Sequence, residues 1–232
     1  MIHRRIIRNV GLWMIFVLLM PSNIYAQNLT EDLQLLARNL EKASFLTIKA
    51  NVEVIGDNGQ VQQKQLINLQ KRENEFYLNL GESEVLFNKE AVVSISHEMK
   101  TVMLTSRSKK TEQVVQMPDW NMGLDSLMPT KPKYKYYHIG NMHKYVLTLA
   151  STSDIAQIEL ELSQDKKRLL KVVYTYRVES DFQYRKVQIT YLSFNTDAIA
   201  NSAFATSRVV RKQKDKWVLQ SPYLKYELEV LY

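Results

Sequence analysis

From residue 45 onward, one short run after another alternates apolar and polar residues with a period of two, and only β-strands satisfy that period. Leu46, Ile48, Ala50, Val52 and Val54 point one way, while Thr47, Lys49, Asn51 and Glu53 point the other. Gly56-Asp57-Asn58-Gly59 follows. Its Asn-Gly step predicts a type I′ hairpin turn, so the chain folds straight back through 61–69. Further alternating runs at 75–80, 83–88, 91–96 and 101–106 complete a six-strand meander. Strand patterning resumes at 144–150, 156–162, 169–178 and 185–194, then at 217–220 and 223–232. Residues 107–137 break the rhythm and read as an insert. Within it Asp119 is placed to cap a short helix that carries Trp120, Met122, Leu124, Leu127 and Met128 and stops at Pro129.

Ahead of the strands, Leu29, Leu33, Leu36, Ala37, Leu40 and Ala43 recur at three- and four-residue steps, the pattern of a helix with one apolar stripe. Asn28 with Glu31 reads as its capping box. The first 26 residues have a different character: Arg4, Arg5 and Arg8, an apolar run of about 11 residues, then Pro21 to Ala26. That order predicts a secretory signal peptide cleaved after Ala26, since a bilayer-spanning helix needs about 20 apolar residues. The reading is therefore a signal segment over 1–26, a single domain over 27–232 and a periplasmic location. The chain has no cysteine, so an exported domain has no disulfides and depends on apolar burial and backbone pairing. Three of the net +7 charges lie in the signal segment, and the remaining +4 is too mild to indicate nucleic acid as a partner.

Nearly every strand has one apolar and one polar face, so the sheet should have a wet convex side and a dry side in need of cover. One amphipathic helix and one short helix are too little cover for a flat sheet. The expected fold is mainly β (α+β): a strongly curved antiparallel half-barrel of about eleven strands, with the N-terminal helix and a short lid-like helix over the concave face. A closed barrel or sandwich with a solid core is the competing solution. Lys49, Glu53, Lys171 and Lys186 on outward faces count against a transmembrane barrel.

Phe45-Leu46-Thr47-Ile48-Lys49-Ala50-Asn51-Val52 after the helix, the passage from Leu69 to Leu78, and the run from Glu84 to Ile95 resemble the strand, turn and hairpin passages of the outer-membrane lipoprotein carrier superfamily, the LolA and LolB type. The resemblance covers most of 29–104. It departs at Glu73, where the family commonly has Pro, and at Asn88-Lys89-Glu90, which lacks the usual Asp-Gly turn. Arg72 stands nearest the family's lid-locking arginine. The resemblance implies an apolar concave surface that takes up acyl chains, hence a lipid or acylated lipoprotein as cargo. The expected role is a periplasmic carrier or chaperone, with peripheral contact to a membrane surface and a monomeric state. The alternative is an envelope structural or regulatory module that binds another protein with the same fold.

A carrier needs a deformable apolar pocket and a polar rim. The candidate acyl contacts are Leu33, Leu36, Leu40, Phe76, Leu78, Phe87, Trp120, Met122 and Met128. Each alone reads more readily as ordinary core, so the expectation rests on the set. Arg72, Lys131, Lys133 and Lys135 are the candidate rim, and in extended chain the three lysines share a face opposite Tyr134 and Tyr136. No metal-ligand spacing, nucleophile elbow or phosphate-cradling glycine loop occurs. The chain is therefore read as a non-enzyme without cofactor or metal.

Overall fold

A computed structural model describes residues 28–107, 132–178 and 184–231. The expected signal segment and the expected short helix with Trp120, Met122 and Met128 lie outside the described residues, as does Lys131. Helix α1 (Leu29–Lys42) is followed by β1 (Phe45–Ile55), β2 (Val61–Arg72), β3 (Glu75–Asn79), β4 (Ser83–Phe87), β5 (Ala91–Ser96) and β6 (Thr101–Ser106). Next come β7 (Lys133–Ile139), β8 (Met142–Thr148), β9 (Ile155–Ser163), β10 (Leu169–Tyr176) and β11 (Lys186–Asn195). Two short 3-10 turns, Asn201–Phe204 and Thr206–Arg208, lead into the hairpin β12 (Val210–Gln213) and β13 (Lys216–Leu219). After a third such turn, Tyr223–Lys225, the chain closes with β14 (Glu227–Leu231).

Twelve strands form one sheet in the order β14-β6-β5-β4-β3-β2-β1-β11-β10-β9-β8-β7. The β1–β6 meander is as expected, and so is the second run back to β11, which pairs with β1. Both outer strands end the sheet without meeting, so it is an open, curled half-barrel. Helix α1 shows the curl directly. In a flat sheet, Val92 on β5 and Tyr145 on β8 would lie about 38 Å apart at the usual strand spacing, whereas α1 is only about 21 Å long. Yet Leu29, Leu33, Leu36 and Leu40 of the helix share one apolar cluster with Val92, Leu46, Leu69, Tyr145 and Leu160. The sheet wraps around the helix.

Several expectations are corrected. The predicted insert contains a strand, because 133–139 pairs along its whole length with β8. The strand β14 is parallel to β6, so the sheet is not wholly antiparallel. At the helix start, Asn28 accepts from the amide of Thr30 at 3.1 Å rather than from that of Glu31. In the β1–β2 turn only Gly59 has positive φ, so the turn is not type I′. Asn58 instead accepts from the Gln60 amide, and the added residue shows as a register shift at Val54/Ile55.

The largest correction concerns the wet convex side. On β3 and β4 both faces are apolar. Phe76 and Phe87 stack at 5.3 Å on the helix side, whereas Tyr77 and Leu86 belong to a second cluster on the other side. That cluster continues through Val93, Ile95, Val102 and Leu104 to Phe204, Val209, Val210 and Tyr223 of the C-terminal segment. On β5 and β6 the buried residues thus mostly face away from the helix, with Val92 still on the helix side. On β7–β11 the face opposite the helix is wet, with Lys144 bridging Glu159 at 2.6 Å and Glu161 at 3.5 Å.

Polar ties fix both covers. Buried Asp32 of α1 receives the hydroxyl of Tyr145 and pairs with Lys166 at 2.9 Å. On the opposite face Asn88 donates to the Phe204 carbonyl and to Thr206 Oγ1, both at 2.8 Å. The buried carboxylate of Glu84 takes Tyr77 OH at 2.7 Å, Tyr223 OH at 3.3 Å and His97 Nε2 at 2.7 Å, and His97 Nδ1 lies 2.9 Å from Tyr226 OH. We predict that Leu36→Ala lowers unfolding free energy by about 2–5 kcal/mol. Asn88→Ala is predicted to lower it by about 1–3 kcal/mol through its orphaned partners. Both are measured by urea unfolding.

Candidate functional site

Burial along β1 locates a surface that the helix leaves uncovered. Leu46, Ile48 and Ala50 are buried, but Val52 and Val54, two and four residues further on the same face, are only half-buried. Their neighbours across the β1–β11 ladder are Ile189 and Val187, which face Val172 and Tyr174 on β10, and Tyr174 faces Ile158 on β9. Val187, Ile189, Tyr174 and Tyr191 are all half-buried, and the last three pack against the helix-side core. β-Branched and aromatic residues suit this pleated wall, and the long strands β1 and β11 carry it beyond the helix. The wall is apolar, concave and half open.

Its hydroxyls are held in a low-polarity setting. Burial, with Tyr176 nearby, pushes the Tyr174 hydroxyl up to about 12. Burial followed by the nearness of Tyr174 raises Tyr191 as well. Such a wall can hold an apolar chain by contact area alone.

The structure separates the residues expected to form this site. Leu33, Leu36, Leu40, Phe76 and Phe87 are buried in the closed core beneath the helix, and Leu78 is half-buried beside them. They support the wall from one end. Arg72 lies on the opposite face, where it binds Glu75 at 2.9 Å, reaches Asn201 and stacks its guanidinium over Phe204 at 4.8 Å. It ties down the C-terminal segment. Lys133 and Lys135 are exposed on β7, the outer strand of the sheet. As the alternation predicts, Tyr134 and Tyr136 point to the other side, against Tyr145. The sequence reading passed over Val52, Val54, Tyr174, Val187, Ile189 and Tyr191 as binding residues. Their signal was present as two long aromatic and β-branched runs, but periodicity alone does not say which part of a face the helix reaches.

A second recess lies at β2, a polar cleft of about 520 Å³ bordered by Gln63, Lys64, Gln65, Asn68 and Asn79. Among the described residues no three acidic, His or Cys side chains are grouped to hold a metal ion.

No family model and no curated protein sequence matches the chain. Solved structures are similar in outline. An uncharacterized conserved protein from Thermus thermophilus aligns at TM-score 0.47 and 10% identity, covering 88% of this chain and 100% of that one. A LolA superfamily protein from Nitrosomonas europaea aligns at TM-score 0.34 and 9% identity, over 78% and 99% of the two chains. A putative outer membrane lipoprotein-sorting protein domain from Vibrio parahaemolyticus aligns at 0.32 and 10%, over 78% and 98%. The strand order given above defines its architecture without them.

The raised tyrosine gives a pH prediction. A hydroxyl whose pKa rises from 10.0 when unfolded to about 12 when folded leaves stability unchanged below pH 10 and removes it as pH climbs from 10 towards 12. Between neutral pH and pH 10 this hydroxyl should leave urea midpoints level, and above pH 10 they should fall. Tyr174→Phe should make that fall shallower.

Proposed function

We propose that the chain is an exported binding module, with 27–232 as its working domain and 1–26 removed on export, that shelters an acyl chain of a lipid or lipoprotein. The observation that carries this reading is the half-open wall of Val52, Val54, Tyr174, Val187, Ile189 and Tyr191, on the helix side but beyond the helix. These six residues are neighbours across β1, β11 and β10, and a contiguous apolar patch of this kind marks a binding surface. The expected contacts Trp120, Met122 and Met128 remain part of the proposal, as do Lys131, Lys133 and Lys135 as a rim for an anionic headgroup. Leu33, Leu36, Leu40, Phe76 and Phe87 act in it as the rigid floor.

The alternative, a module that docks another protein, is supported by the outer edge of β7, beside which no further strand lies among the described residues and where Tyr137 and Ile139 are 45% and 51% exposed. Binding carried out by either route requires no catalytic group.

The protein purified from its native compartment without detergent should carry lipid or acylated protein by native mass spectrometry. Once emptied, it should take up a fluorescent fatty acid. Val54→Lys and Ile189→Lys each place a charge against the wall and should weaken that uptake at least about tenfold, roughly 1.4 kcal/mol. An empty protein that takes up no fatty acid would refute the acyl-chain reading.

A further inference from the structure

The strand β2 is only half inside the sheet. It pairs with β1 from Val61 to Arg72, but with β3 only from Asn68 to Arg72. The reason lies in the β3–β4 turn. Asn79 Oδ1 accepts from the Gly81 amide at 2.8 Å, Gly81 has φ of 73°, and the Leu80 amide donates to Ser83 at 2.7 Å. The chain reverses after five residues of β3, while β2 runs on for seven more. Over 61–67 no described strand lies on that side of β2, so its outward N–H and C=O groups form an internal sheet edge.

The polar cleft of about 520 Å³ occupies this step. Its lining shows that it lies in the plane of the sheet. Gln63 and Gln65 point to the helix side and Lys64, Leu66 and Asn68 to the other, yet all five border the same space, with Asn79 at its floor. Only a void beside the strand, where β3 would have continued, touches both faces at once. At its base Asn68 Oδ1 is buried without a hydrogen-bond partner among the described residues. Two charged residues line the slot: Lys64, which pairs with Glu53 at 2.9 Å, and the exposed Glu82 at its mouth, so its residual charge is acidic. Leu66, 50% exposed, is its apolar anchor.

We propose that this step is a docking slot for an extended segment of another polypeptide, which adds as a short strand beside 61–67 of β2 and donates a hydrogen bond to Asn68. An unpaired strand edge offers donors and acceptors in alternation, and only an extended backbone answers both. Seven residues of edge accommodate a strand of about 20 Å at the usual rise. With Lys64 paired and Glu82 at the mouth, the lining selects a segment without acidic residues, with a β-branched or apolar residue beside Leu66 and a side-chain or backbone N–H at Asn68. The Gln-rich sequence of 62–65 suits an edge that stays in water until it is occupied. The slot adjoins the proposed wall, since Gln63 and Gln65 lie beside Val54 and Val52 across the β1–β2 ladder, but Leu66 and Asn68 lie on the opposite face and the proposal does not depend on the acyl-chain reading.

The test is selection of a random heptapeptide library displayed on phage against the purified protein, followed by amide hydrogen exchange with the enriched peptides. Without peptide, alternate amides of 61–67 should exchange at least tenfold faster than those of 68–72. Enriched peptides should protect them, should lose binding when their alternate amides are N-methylated, and should bind Asn68→Leu at least fivefold more weakly. Slow exchange at 68–72 in that variant confirms that it is folded, and Leu66→Asp gives a second variant of the same slot. The proposal is overturned if no peptide is enriched, if the enriched peptides protect the β7 edge instead, or if both variants bind them as well as the parent does. Fatty-acid uptake should be unchanged in both variants, so failure here and failure of the acyl-chain reading are read separately.

Discussion

Everything in this fold depends on one shortage: a sheet of twelve strands has, among the described residues, a single fourteen-residue helix to cover it. Four leucines of α1 are fully sequestered, each contributing about 1.5–3 kcal/mol, and no flat sheet could bring strands as distant as β5 and β8 to them. Curling does so. The tie from Asp32 to Tyr145 and Lys166 then fixes which part of the curl the helix occupies, and the remainder of the concave face stays half open. The wall proposed to bind cargo is a consequence of that limited cover.

The second solution to the same shortage is to change the buried face. From β1 and β8–β10 the apolar residues look toward the helix. From β5 and β6 they mostly look away, onto the C-terminal segment. Both directions coexist at β3 and β4, where Phe76 and Phe87 stack on one side and Tyr77 and Leu86 pack on the other. The C-terminal segment is held by polar contacts at several points: Asn88 on the 3-10 turns, Arg72 on Asn201 and Phe204, Arg208 over Tyr77 at 4.7 Å, and Glu84 with His97 and Tyr223. Short strands on this half and long strands on the other also produce the step at β2. The open wall and the in-plane cleft thus both follow from how the two halves differ.

Much of this was legible in the residues. The period-two runs place β1–β6 and β8–β11 within two residues, apart from the last three residues of β2, the leucine spacing places α1, and too little helix for too much sheet implies a curl. The rest has physical reasons for escaping notice. Lys133-Tyr134-Lys135-Tyr136 follows two prolines and looks like loop, and only its pairing with β8 makes it a strand. The β12–β13 turn uses Lys214 and Asp215, both with positive φ, although neither residue announces such a turn. Leu86, Val93 and Ile95 look like the usual buried residues of their runs. Which side they bury is a matter of register across the whole sheet, and local alternation does not carry that information. The candidate site suffered similarly. The expected Leu33, Leu36 and Leu40 are apolar for the same reason as a binding wall, and only helix placement separates floor from wall.

The central claim is that the uncovered part of the helix-side face, rather than the closed core or the opposite face, receives an apolar chain. A crystal structure of the protein soaked with a bromine-labelled fatty acid tests it most directly. Anomalous density for bromine beside Tyr174, Ile189 and Tyr191 is the predicted result. Density confined to the face of Leu86 and Val93, or none in crystals that retain the folded sheet, would contradict it.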